Sequence, residues 1–124
     1  MKSKRIIATD FTTGSTHDFL LFKVSRSTPA TTTKVLADSG YQGIAKVHSN
    51  SETPTKKSKL HPLTKAQKAA NRALSRQRIV VENILCRLKV FRILSERYRN
   101  RRKRFGLRFN LIAAIYNLEL NLAA

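Results

Sequence analysis

Two carboxylates stand where acids can do chemistry. Asp38 follows the apolar run Val35, Leu36, Ala37 in KVLADSGYQG, a run that breaks off abruptly at Asp-Ser-Gly as a buried strand of an α/β protein does. Open α/β sheets gather ligands at the carboxyl ends of their strands, which makes Asp38 a candidate ligand-binding group, although Asp-Ser-Gly is equally an ordinary turn. Glu82 sits in RQRIVVENILCRLK, inside a stretch (54–108) that carries 18 Lys and Arg against 2 acids. A carboxylate in a basic, phosphate-binding groove repels its ligand unless a divalent cation lies between them. An Asp at a strand end and a Glu on a packed helix supply two hard oxygen ligands, and Mg²⁺ is typically held by one or two carboxylates together with substrate phosphates.

The rest of the composition agrees with an anionic partner. The chain has 124 residues, one small domain's worth, with 25 Lys and Arg, 7 Asp and Glu and a formal net charge of +18. Self-repulsion at that level disfavours a compact state unless a polyanion compensates, and nucleic acid is the commonest polyanion. The charge is uneven, since residues 1–53 carry only 7 Lys and Arg against 4 acids. The partner is therefore expected at the second half. No run of about 18 apolar residues is present, and the basic start MKSKRIIATDFTTG has too short an apolar stretch for a leader. No membrane partner and a cytoplasmic location are expected. A single cysteine, Cys86, excludes an internal disulfide and is read as a small apolar filler, while His17, His48 and His61 are too scattered for a local metal motif.

The elements that must position the two acids read as follows. The β-branched run RIIATDF predicts a strand that stops at Gly14. Ser15 or Thr16 then caps a helix through THDFLLFKV, with Asp18 in its first turn. SRSTPATTTK is a polar loop, Val35–Ala37 a strand, IAKVH a further short strand, and SNSETPTKKSKLHPL a Pro-, Ser- and Lys-rich loop. From a cap at Thr64, about 30 residues without Gly or Pro predict one long helix or two abutting ones. A last helix is expected over roughly Arg104–Leu122, with Leu107, Leu111, Ala114, Ile115 and Leu118 at helical spacing and Gly106 weakening its first turn. The division expected is a strand and helix part (1–48), a basic loop (49–63) and a helical part (64–124). Between the two last helices lies RYRNRRKR, residues 97–104, with six basic residues in eight.

At about 100° per residue, Val80, Val81, Ile84, Leu88 and Phe91 fall opposite Glu82 and make a core stripe, while Asn71, Ser75, Arg78, Glu82 and Lys89 form one polar seam. The plain account of that seam is a solvated Arg78–Glu82 pair four residues apart, worth a few tenths of a kcal/mol.

VLADSGYQG, PTKKSKLHPL, QKAANRALSRQRIVVENILCRLKVFRIL and YRNRRKRFGLRFNLIAAIYNLEL together resemble the C-terminal half of insertion-sequence transposases with a DDE catalytic domain, over nearly all of residues 5–120. The family's helix signature is Tyr, two residues, Arg, three residues, Glu, six residues, Lys. Arg78, Glu82 and Lys89 match it in type and spacing, and Ser75 stands at the Tyr position. The resemblance implies a truncated ribonuclease-H-like α/β domain in which Asp38 is the second catalytic acid and metal ligand and Glu82 the third. It implies Mg²⁺ (or Mn²⁺) as cofactor, and the DNA of transposon ends as partner, close to the bacterial nucleoid. Arg78 and Lys89 would contact phosphate beside the metal, and Arg97, Arg99, Arg101, Arg102, Lys103 and Arg104 would bind DNA. The family's first Asp lies on a strand upstream of RIIATDFTTG, and Asp10 is not expected to replace it. His17 and Asp18 match the family's Gly-x-x-His-Asp segment, with no role beyond capping and packing. The expectation is a transposase fragment, DNA-binding but inactive alone, dependent on an upstream transposase fragment or a second copy. The alternative is a basic nucleic-acid-binding protein without catalysis, in which Glu82 is structural.

Overall fold

A computed structural model describes residues 3–25, 27–99 and 102–123. Its elements are α1 (Asp18–Val24), β1 (Val35–Leu36), β2 (Ser51–Glu52), α2 (Lys65–Leu88), α3 (Arg92–Ser95) and α4 (Phe105–Leu122), with 3₁₀ turns at Ser39–Tyr41, Ile44–Lys46 and Arg102–Arg104. The chain is α/β, and it divides into one unit of 12–79 and another made of 1–11 with 80–124, so that α2 contributes to both. Among the described residues, no helix is long and apolar enough to cross a membrane.

In the first unit, β1 and β2 pair in parallel with Val35 opposite Ser51 and Leu36 opposite Glu52. The β1 strand is where the apolar run places it. Its partner β2, however, lies in the stretch expected as loop, and IAKVH is not a strand. Gly43, at a φ of 85°, turns the chain so that Ile44–Lys46 coils into a 3₁₀ turn. That turn buries Ile44 and brings the His48 N–H to the Ile44 carbonyl at 2.7 Å. Buried His48 then donates through Nε2 to the Thr33 carbonyl at 2.7 Å, which ties the turn to the segment preceding β1.

Helix α2 begins where its capping residues require. The Thr64 hydroxyl accepts from the Gln67 N–H and the Gln67 side chain accepts from the Thr64 N–H, at 3.2 and 3.0 Å, a reciprocal box that satisfies two backbone donors. It ends at Leu88, and a turn then leads into α3, so the long helical pattern resolves into two helices. Within the first unit, the residues of α2 withdrawn from solvent are Gln67, Asn71, Leu74 and Arg78, at spacings of four, three and four. Asn71 clamps the backbone of Thr55: its Nδ2 donates to the Thr55 carbonyl and its Oδ1 accepts the Thr55 N–H, both at 2.9 Å.

In the second unit the core is Leu88, Ile112 and Tyr116, flanked by half-buried residues including Ile6, Ile84 and Phe109. Two sequence expectations fail here. Val81 and Phe91 are exposed, leaving Leu88 and the half-buried Val80 and Ile84 of the expected α2 stripe. On α4 the expected stripe of Leu107, Leu111, Ala114, Ile115 and Leu118 faces solvent, and Ile112, Ala113 and Tyr116 are buried instead. The helix is apolar on both sides, so periodicity alone accommodates either stripe.

The N-terminal segment also departs from its predicted strand. Residues 5–11 form no ladder, and at Ile6 a side chain takes the place of the missing neighbouring strand by satisfying both backbone groups. Asn117 accepts the Ile6 N–H at 2.9 Å and donates to the Ile6 carbonyl at 2.7 Å. Asn121 accepts from Arg5 and the Thr9 hydroxyl meets Asn110, so three asparagines on α4 hold the segment. The Phe11 ring packs edge-on against Phe105 at 4.8 Å, and a Cβ at Gly106 would come within 2.9 Å of that ring. Gly106 is thus a close-approach position and not merely a weak start to α4.

Candidate functional site

Asp38 leaves β1 through buried Ala37 in an extended conformation and caps the 3₁₀ turn Ser39–Tyr41, its Oδ1 accepting the Ser39 N–H. The same oxygen faces Arg78 Nη1 at 3.4 Å, with the Asp38 side chain 58% and the Arg78 side chain 24% exposed. Arg78 therefore pairs with Asp38 and not with Glu82, and the solvated Arg78–Glu82 pair is not formed. At this exposure the ion pair contributes little stability, roughly 0–1 kcal/mol. What it does is fix the guanidinium beside a carboxylate whose Oδ2 has no protein partner among the described residues.

The turn carrying Asp38 is held from two directions. Gln42 Nε2 donates to the carbonyls of Ser39 and Pro54 at 3.2 and 3.1 Å. On the other side, α1 places Phe19 and Phe22, three residues apart on one helical face, around the Tyr41 ring at centroid distances of 5.7 and 6.1 Å. His17, not Ser15 or Thr16, is the cap of α1, with Nδ1 accepting the Phe19 N–H at 3.2 Å. Its ring also lies against Gly40, within ordinary van der Waals distance of the position a Cβ would take. The His-Asp pair thus has a structural job: it starts the helix whose aromatic face supports the Asp38 turn. The sequence signal that could have found this is the spacing of Phe19 and Phe22 together with Tyr41.

Burial, then Asp18, then Asp38 push the Tyr41 phenol above its ordinary value, because desolvation and two neighbouring negative charges all oppose the phenolate. With the folded-state pKa raised, the stabilisation is complete below the unfolded tyrosine's pKa of about 10 and is lost as pH rises through the higher folded value. Tyr41→Phe should flatten that alkaline loss, measured as urea midpoints across pH 9–11 or so; a wild type as pH-insensitive as the variant would rule the coupling out.

Glu82 and Lys89 belong to the second unit and are exposed. Among the described residues the Glu82 side chain has neither an ion pair nor a hydrogen-bond partner. The basic segment after α3 is exposed at Arg97, Arg99, Arg102, Lys103 and Arg104, while Arg101 lies outside the described residues. It is anchored by a residue that sequence reasoning does not single out. Half-buried Tyr98 packs edge-on against Phe105 at 4.9 Å and accepts from Arg108 Nη1 at 2.8 Å. Cys86 is free and exposed, not a core filler. Among the described residues no cluster of three or more His, Cys, Asp or Glu is formed.

Residues 1–118 match the family model described as "Transposase DDE domain". The chain is 56% identical over 123 residues to a "Probable transposase for insertion sequence element IS702" from Microchaete diplosiphon, a match covering 99% of this chain and 45% of that protein. It thus spans a little under half of that relative's length. No solved structure matches it. With a family match over nearly the whole chain and this identity to a transposase relative, the chain belongs to the transposase DDE domain family.

Proposed function

We propose that residues 1–124 form part of a ribonuclease-H-like DDE catalytic domain that binds transposon-end DNA and contributes Asp38 and Glu82 to Mg²⁺- or Mn²⁺-dependent strand cleavage and transfer. The observation that carries the reading is the exposed Asp38 carboxylate at the end of β1, beside Arg78, in a chain matching the transposase family. The donor set fits a hard divalent cation: both acids are exposed oxygen donors, and each has an oxygen that no protein group occupies among the described residues. When bound, the cation supplies Lewis acidity to the attacking and leaving oxygens of a phosphodiester. Arg78 is already poised at Asp38 and would turn to a DNA phosphate there, and Lys89 and the 97–104 segment would also engage DNA phosphates. Residues 1–124 carry two of the three acids of the family pattern, and a polypeptide of these residues alone would bind DNA and leave it uncut.

One observation favours a second reading. Asp38 already has structural work as a cap and as the partner of Arg78, which is all that a non-catalytic DNA-binding protein would ask of it. Mn²⁺ titration of the purified polypeptide separates the two. Under the proposal, Asp38→Ala and Glu82→Ala each weaken Mn²⁺ binding by at least about 10-fold, the low end of what metal-site substitutions cost. Unchanged binding in both variants leaves the non-catalytic reading standing.

A further inference from the structure

On the part of α2 that belongs to the first unit, Lys65, Lys68, Arg72 and Arg76 recur at spacings of three, four and four, and all four are exposed. With Lys65 at zero and about 100° per residue, they fall near 0°, −60°, −20° and +20°. The withdrawn residues Gln67, Asn71, Leu74 and Arg78 all lie within about 60° of the opposite direction. The basic ridge thus points away from the face that carries Arg78 to Asp38. It extends about 16 Å along the helix axis, close to the length of five base pairs at about 3.4 Å each. Ala69 and Ala73 flank it, so no bulky side chain stands between the cations and an approaching backbone.

The ridge works against the helix that carries it. Lys65–Lys68, Lys68–Arg72 and Arg72–Arg76 are like-charge neighbours, each disfavouring the helix by about 0.2–0.5 kcal/mol. The first turn of α2 has no acid to offset its lysines, at the end where the helix dipole disfavours cations. Among the described residues none of the four takes part in an ion pair. An ordinary solvated helix face intersperses acids with bases; this one has none between Pro54 and Val81.

We infer that this ridge binds the phosphate backbone of a second DNA segment, separate from the strand whose phosphate would lie at Asp38 and Arg78. The inference rests on the DNA-acting reading above and adds a surface that reading does not use. Arg78 lies about 125° around the helix from the centre of the ridge, on an α-helix about 10 Å across, so a straight duplex lying along the ridge runs on a different side of α2 from Asp38.

The test is the stoichiometry of binding of a short fluorescein-labelled duplex to the 124-residue polypeptide at low salt, followed by anisotropy. Two duplexes per polypeptide are expected for the wild type and one for K65Q/K68Q/R72Q/R76Q, with the remaining site's affinity held within about twofold. Glutamine preserves helix propensity at these exposed positions, and circular dichroism confirms that α2 is intact. The charge-matched variant R97Q/R99Q/K103Q/R104Q should retain the ridge site. One duplex for the wild type, two for the ridge variant, or equal weakening of both sites in both variants would overturn the inference while leaving the DNA-acting reading in place. No salt-sensitive DNA binding by the wild type would overturn both.

Discussion

Raising salt from about 50 to about 200 mM should weaken DNA binding by the polypeptide about 10³- to 10⁵-fold, the loss that accompanies release of counterions from some 6–10 neutralised phosphates. The cations are there to do this: 18 of the 25 Lys and Arg fall between residues 54 and 108. Of the described ones in that stretch only Arg78 and Arg92 are in ion pairs, with Asp38 and Glu96. The exposed members of the 97–104 segment should dominate the tighter interaction, since Tyr98 holds that segment against Phe105 and Arg108. Replacing Arg97, Arg99, Lys103 and Arg104 with Gln should reduce the slope of log K against log salt there by about 3–4, at roughly 0.9 for each phosphate no longer neutralised. Equilibrium titrations at four or five salt concentrations measure both quantities, and a wild-type slope near zero would contradict a phosphate-driven interface.

The second large effect concerns α4. Ile112→Ala should cost about 2–5 kcal/mol of stability, because the side chain is buried between Leu88 and Tyr116 and its removal leaves a cavity. Leu111→Ala, at the adjacent position, should stay within about 0.5 kcal/mol, because Leu111 is 59% exposed. Urea unfolding of the two variants against wild type makes the comparison at constant chain length and charge. Comparable losses at both positions would mean that the Leu107, Leu111, Ile115 and Leu118 face is covered in solution, contrary to its exposure in the fold.

How far each of these features is legible in the sequence depends on whether its signal is local. The start of α2 is readable because Thr64 and Gln67 satisfy one another across a single turn. The position of Asp38 at the end of β1 is readable because an apolar run meeting Asp-Ser-Gly has few other outcomes. The basic second half needs only counting. By contrast, the inward face of α4 cannot be read, since leucines, isoleucines and aromatic residues occupy both sides of that helix. The face is chosen by partners distant in sequence: the Ile6 backbone bonded to Asn117, and Leu88 packed with Ile112 and Tyr116.

The same distinction separates the strands. RIIATDF has the β-branched composition of a strand, but membership of a sheet depends on a neighbouring edge, and here Asn117 of α4 bonds both backbone groups of Ile6 instead. Ser51 and Glu52 have no strand signal of their own and pair only because β1 offers an edge to them. Helical angle alone puts Arg78 in a polar seam with Glu82, whereas its carboxylate in the fold is Asp38, which lies far earlier in the chain. By itself, then, the sequence determined the charge, the helices and the candidate acids, because these follow from composition and from interactions within a turn or two. Only the tertiary structure decided which faces are buried and which carboxylate Arg78 meets, because those outcomes depend on residues that come together only when the chain folds.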